Sequence, residues 1–187
     1  MRTLLLALAC VAGAASAAGD SQLRAGVFEP ARAAPDFALR GSDATELTLS
    51  RYRGKVVILG FGFSSCADVC PVTLAVLAEA RRKLGAEASD LQVIYVTVDP
   101  ETDDAKRLRE YLAAFDPTFV GGTGEAAQLA AVRESYGVFA KAREGASGFS
   151  HSSYTYLIDR EGKLRALMPF GHDSDAYVHD VRILLKQ

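Results

Sequence analysis

The spacing of apolar and polar positions changes several times along the chain, and each change marks an element. Val56 to Phe63 is a near-continuous β-branched and aromatic run of strand length, the pattern of a strand covered on both faces. Leu91 to Val98 repeats that pattern and is closed by Asp99-Pro100. Between them Pro71 suits the first position of a helix in which Leu74, Leu77 and Leu84 share a face and Arg81, Arg82 and Lys83 supply charge. Strand, helix, strand in this order predicts a right-handed parallel crossover.

Upstream, Phe37 and Leu39 alternate with polar or small neighbours, as do Leu47 and Leu49, which predicts a hairpin turning at Gly41-Ser42-Asp43. Downstream, Thr102 or Asp103 is expected to cap a helix with Leu108, Tyr111, Leu112 and Phe115 at i, i+3, i+4, i+7 spacing. Thr118 to Val120 reads as a short strand, and Gly121 to Gly124 as a turn into a helix carrying Leu129, Val132 and Tyr136 and ended by Gly137. That turn lacks both the P-loop lysine spacing and the dinucleotide fingerprint, which leaves it no phosphate-binding role. Val138 to Ala140 starts a strand, residues 143–149 form a loop, and Tyr154 to Ile158 and Leu164 to Met168 pair antiparallel across Arg160 to Lys163. A last helix from about Ser174 buries Tyr177, Val181, Leu184 and Leu185. A parallel crossover, then an antiparallel hairpin, then a closing helix gives an α/β, thioredoxin-like fold: a central mixed sheet flanked by helices, with an N-terminal hairpin extension.

Residues 1–18 read as an export signal, with Arg2 in the n-region, an apolar core from Leu4 to Ala15 and an Ala15-Ser16-Ala17 cleavage site. Its apolar run is shorter than the roughly 20 residues of a spanning helix, which favours cleavage over a retained anchor. Residues 19–34 carry scattered charge and no sustained period and read as a linker, leaving 35–187 as one domain, expected to be monomeric. With 21 basic and 23 acidic residues the net charge is −2, so there is no basic field for nucleic acid or a membrane surface. Of three cysteines, Cys10 falls in the leader, which rules out a multi-bridge scaffold and leaves the pair Cys66 and Cys70.

That pair lies where the first buried strand empties into a helix, the edge at which α/β folds place reactive groups. Free amides and the helix dipole there are expected to lower thiol pKa and favour thiolate. A structural disulfide is the bland alternative, but so small a loop constrains the unfolded chain only weakly. Two thiolates with an imidazole suit copper, whereas zinc normally recruits a fourth ligand. Of the three histidines, His179 falls on the polar face of the last helix and reads as solvated, and His172 sits in the preceding loop in a surface or capping role. His151 stands just before the Tyr154 strand, beside the expected position of the thiols.

Gly62-Phe63-Ser64-Ser65-Cys66-Ala67-Asp68-Val69-Cys70-Pro71 resembles the copper motif of the Sco/SenC family of cytochrome oxidase assembly proteins. Val96 to Asp103, Asp116 to Gly124 and His151 to Asp159 are similar to three further signatures of that family, in the same order. The resemblance implies that Cys66, Cys70 and His151 are ligands of Cu(I) or Cu(II). It also implies an exported metallochaperone, periplasmic or held at the outer face of the inner membrane. Its expected partners are a copper donor and a cuproprotein such as a CuA-bearing oxidase subunit. Asp99 matches a family aspartate, with strand termination as its plainer role. Ser65 and Ala67 stand where the family often has histidine and proline, and Phe149-Ser150 precede the histidine where aspartate or valine is common.

A thiol-disulfide oxidoreductase that uses Cys66 and Cys70 as a redox-active pair is the rival reading, followed by a redox or copper sensor. Against it, thioredoxin-like enzymes use Cys-x-x-Cys facing a cis-proline, whereas three residues separate these cysteines and no proline precedes the Tyr154 strand. A peroxiredoxin is excluded, because the Pro-x-x-x-Thr-x-x-Cys arrangement is missing at both cysteines.

Overall fold

The computed structural model describes residues 22–142 and 148–187; the leader and part of the 143–149 loop lie outside them. In chain order the elements are β1 (Gly26–Ala33), β2 (Ala38–Gly41), β3 (Glu46–Thr48), β4 (Val56–Gly62), α1 (Val69–Leu84), β5 (Leu91–Thr97), α2 (Ala105–Ala113), β6 (Val120–Thr123), α3 (Ala126–Tyr136), β7 (Ala140–Ala142), β8 (Phe149–His151), β9 (Tyr154–Ile158), β10 (Lys163–Pro169) and α4 (Ser174–Leu185). Eight strands form one sheet in the order β1-β10-β9-β4-β5-β6-β2-β3, and β7 pairs with β8 in a separate ribbon. β4 runs parallel to β5 and antiparallel to β9, and β5 runs parallel to β6. The mixed sheet and crossover expected from the sequence are therefore present.

Every residue of β4 is buried, which accounts for its unbroken apolar run. Gly60, Gly62, Tyr95 and Thr155 face α1 and α4, where Thr155 Oγ1 meets Tyr177 Oη at 3.0 Å. Phe61 and Tyr156 face the other way and form an edge-on aromatic cluster with Tyr136 of α3. The sheet is thus sandwiched, and the carboxyl ends of β4 and β5 open toward the first turn of α1.

Three expectations are corrected. The linker assigned to 19–34 contains β1, an edge strand bonded antiparallel to β10. Its residues are mostly exposed, and its approach is fixed by the fully buried Asp180 of α4, which accepts from Arg24 N at 2.8 Å and Ala25 N at 3.0 Å. The folded unit therefore begins before residue 35. Gly121 and Gly122 extend β6 instead of turning into a helix: a Cβ at Gly121 would lie 2.9 Å from Leu108 Cβ, and one at Gly122 2.9 Å from Leu47 Cδ2. Bare backbone there lets α2 pack on one face of β6 while the Leu39 and Leu47 side chains of the neighbouring β2–β3 hairpin fold over the other. Finally, α2 is capped by Asp104, whose Oδ1 accepts from Arg107 N at 2.7 Å, and not by Thr102 or Asp103.

Candidate metal centre

After Gly62 the chain leaves the sheet, and residues 63–68 form the loop that carries Cys66 into α1. Pro71 is the third helical residue, so Cys70 already sits in the first turn. The loop is tied down from behind. Val98 N donates to Gly62 O at 2.8 Å, Ser64 N donates to Asp103 Oδ2 at 2.9 Å, and Ser64 Oγ donates to Asp103 Oδ1. Asp103 is fully buried and also accepts from Thr97 Oγ1 at 2.7 Å, while Arg107 Nε donates to Ser64 Oγ at 2.7 Å. Asp99 makes the turn that delivers this carboxylate: its carbonyl accepts from Asp103 N and its Oδ1 from Thr102 N.

His151 ends β8 and is brought to the thiols by the β7–β8 ribbon, in which it pairs with Ala140. Ser152 N donates to Phe139 O at 2.9 Å and Phe139 N to Ser152 Oγ at 3.0 Å, closing the ribbon. Phe63 lies edge-on to both Phe149 and His151, with centroids at 5.7 and 5.8 Å, and so joins the ribbon to the thiol loop. The imidazole Nδ1 stands 2.8 Å from Ser152 O. A carbonyl only accepts, so Nδ1 carries the proton and the lone pair of a neutral ring is at Nε2. Nε2 lies 3.5 Å from Cys70 Sγ.

The sulfurs of Cys66 and Cys70 and a ring nitrogen of His151 all lie within 4.8 Å of one another. Both cysteines are free thiols, Cys66 half-buried and Cys70 buried. Burial, reinforced by the adjacent Cys66 thiol, pushes Cys70 up to about 12, while the Tyr95 hydroxyl beside it acts in the opposite sense. The expectation of a lowered thiol pKa is thereby overturned for Cys70. A helix dipole contributes about 0.3–1 kcal/mol, less than one pKa unit, and desolvation outweighs it. Burial shields this sulfur and favours its protonated form. Two sulfurs and an imidazole nitrogen, with a buried tyrosine hydroxyl left without a hydrogen-bond partner behind them, fit a thiophilic metal.

All three residues singled out in the sequence are therefore brought together, and the other two histidines are not part of the cluster. His172 is half-buried in the loop before α4. His179, expected to be solvated, is largely covered, with Nδ1 2.9 Å from Asp180 Oδ1. Sequence reasoning missed Ser64, Asp103 and Tyr95. A serine and an aspartate flanking two adjacent strand ends were the available signal for the first two; Tyr95 was hidden inside an ordinary strand pattern.

The SCO1/SenC family model matches residues 27–186. A SCO2-like protein of Rickettsia conorii is 34% identical over 133 residues, which cover 68% of this chain and 65% of the relative. The human mitochondrial SCO2 homologue is 34% identical over 144 residues, covering 76% of this chain and 52% of its own length. The chain thus spans just under two thirds of the rickettsial relative and about half of the human one. Among solved structures, ScoI of Bradyrhizobium japonicum with copper bound superposes with TM-score 0.75 at 30% identity, covering 82% of this chain and 99% of that one. Apo Sco1 of Thermus thermophilus gives 0.78 at 33%, covering 88% and 98%.

Proposed function

This chain belongs to the SCO1/SenC family, and from that premise we propose that it is an exported copper carrier that holds the ion through Cys66, Cys70 and His151 and delivers it to a CuA-type site of a respiratory oxidase. The observation that carries the proposal is the convergence of two sulfurs and an imidazole nitrogen within 4.8 Å at the mouth of the sheet. The copper-bound ScoI of Bradyrhizobium japonicum, similar over nearly its whole length, supports copper as the cargo.

The residues divide the work by their chemistry. Cys66, the more accessible sulfur, meets donor and acceptor first; Cys70 closes the site from within; His151 supplies the harder donor and is held in one tautomer by Ser152 O. Loading requires both thiols to lose their protons, so the raised Cys70 couples uptake to proton release. The same sulfurs can join in a disulfide, giving up two electrons and two protons to an oxidised dithiol partner. That state has no thiolate to offer, so carrying copper and reducing a target exclude each other on one molecule. A dedicated oxidoreductase of the thioredoxin kind is disfavoured by the three residues between the cysteines, where such enzymes have two. Periplasmic or outer-face location, a copper donor, the oxidase subunit as target and a monomeric state belong to the same proposal. No helix among the described residues is long and apolar enough to cross a membrane.

The test is a copper titration of the reduced, anaerobic chain, beside the Cys66→Ala and Cys70→Ala variants. One ion per chain, lost in either variant, is expected. Unchanged stoichiometry in both variants, with rapid reduction of a protein disulfide by the parent, would replace the carrier reading with the oxidoreductase one.

A further inference from the structure

Tyr95 is 2% exposed, and its hydroxyl finds no hydrogen-bond partner among the described residues. Buried hydroxyls are nearly always paired, so an idle one calls for a reason. Its surroundings supply one. β4 and β5 are in register with Gly60 opposite Tyr95 and Gly62 opposite Thr97, and the tyrosine ring crosses both glycines. A Cβ at Gly60 would lie 3.2 Å from the ring. A Cβ at Gly62 would lie 1.8 Å from Tyr95 Oη and 2.9 Å from Cys70 Sγ. The hydroxyl and the sulfur therefore converge over a single bare α-carbon, along a trough that exists because two alternate residues of β4 have no side chain.

Water has little room beside the hydroxyl. The cavity bordered by Tyr95, Cys70, Val69, Thr73 and His151 measures about 10 Å³. A water molecule needs about 10–15 Å³ and several polar partners, so this space is marginal for one. The polar atom to which the trough leads is the Cys70 sulfur. As a thiol it is a weak acceptor, and the hydroxyl beside it falls short of full hydrogen-bond geometry; as a thiolate it is a strong one.

We propose that Tyr95 is a positioning residue of the metal centre: its hydroxyl is a donor held in reserve for the Cys70 sulfur and engages when that sulfur binds copper as a thiolate. The proposal rests on the copper reading above. The mechanism is differential. In the metal-free chain the hydroxyl contributes only the cost of being unpaired, and in the loaded chain it offsets charge on a buried sulfur, so the difference appears as affinity. It also contacts Cys70 from within the trough, while His151 approaches the same sulfur through Nε2.

Tyr95→Phe keeps the ring in its trough and removes only the donor. The experiment compares parent and variant, as purified reduced chains, in three measurements: thermal melting without metal, Cu(I) affinity by competition with a chromophoric chelator, and the sulfur-to-Cu(II) charge-transfer spectrum. The variant is expected to melt no lower than the parent, to bind Cu(I) about tenfold more weakly and to show its charge-transfer band at lower energy, because a hydrogen bond to sulfur lowers the donor orbital. An unchanged affinity or an unmoved band overturns the proposal. A lower melting temperature, or failure of the variant to fold, also overturns it, since the hydroxyl would then have a partner in the metal-free protein. A parent that binds no copper sinks the copper reading itself, a result distinct from a parent and variant that bind alike.

Discussion

His151 Nε2 stands 3.5 Å from the sulfur of Cys70, across 81 residues of chain. Neither group reaches the other through local structure: one comes from the first turn of α1 and the other from the end of a two-stranded ribbon outside the main sheet. Their meeting makes the site a tertiary feature, held on each side by contacts distant in sequence.

Removing the imidazole should separate the two oxidation states of copper. His151→Ala is expected to weaken Cu(II) binding more than Cu(I), because Cu(I) persists on two soft sulfurs while Cu(II) loses its nitrogen donor. In the parent, Cu(II) affinity should fall as pH drops, because protons compete for the imidazole as well as for the thiolates, and the fall should be shallower in His151→Ala while His172→Ala and His179→Ala leave it intact. Competition titrations between about pH 5 and pH 8 check both.

The two thiols should differ in the metal-free chain. Cys66 is half-buried and Cys70 is buried and raised to about 12 from a usual 9.0, so iodoacetamide at mildly alkaline pH should modify Cys66 first. An acid whose pKa is higher when folded keeps a proton that the unfolded chain releases, so its contribution is present below pH 9.0 and is lost as pH climbs toward about 12. Urea midpoints should drop on moving from neutral pH into that window, and Cys70→Ala should reduce the drop.

Asp103→Ala should loosen the thiol loop from behind. It removes the acceptor of Ser64 N, Ser64 Oγ and Thr97 Oγ1, and unpaired buried donors cost about 1–3 kcal/mol each before relaxation. A lower melting temperature together with faster alkylation of Cys66 is expected. Asp103→Asn, which keeps one acceptor oxygen, should fall between the two.

Asp180→Ala should free the start of β1, since that carboxylate receives Arg24 N and Ala25 N. A loss of about 1–3 kcal/mol is expected, with faster amide exchange along residues 24–33. A chain cut before residue 35 should be destabilised further, whereas a true linker would be dispensable.

β4, β5 and α4 were legible because burial on two faces or on one stripe leaves an apolar pattern that local sequence records. β1 left no such mark: seven of its eight residues are exposed, and backbone bonds to β10 and Asp180, invisible in a pattern of side chains, hold it. β6 was misread because Gly121 and Gly122 look like a turn when the helix and hairpin pressing on them are not in view. At the site, cysteine spacing and the place of His151 before β9 were enough to find the donors. The ionisation of Cys70 was not readable, because the helix start that suggested a thiolate is local while the burial that prevents it comes from β4, β5 and the ribbon. Tyr95 was hidden for the same reason: its role depends on register with Gly60 and Gly62, which only the paired strands reveal.

The most direct test of the account is X-ray absorption at the copper edge of the loaded chain, set beside His151→Ala. The account predicts a first shell of two sulfurs and one nitrogen in the parent, and two sulfurs without that nitrogen in the variant under Cu(I). A shell lacking sulfur, or a nitrogen contribution that persists unchanged in His151→Ala, would contradict it.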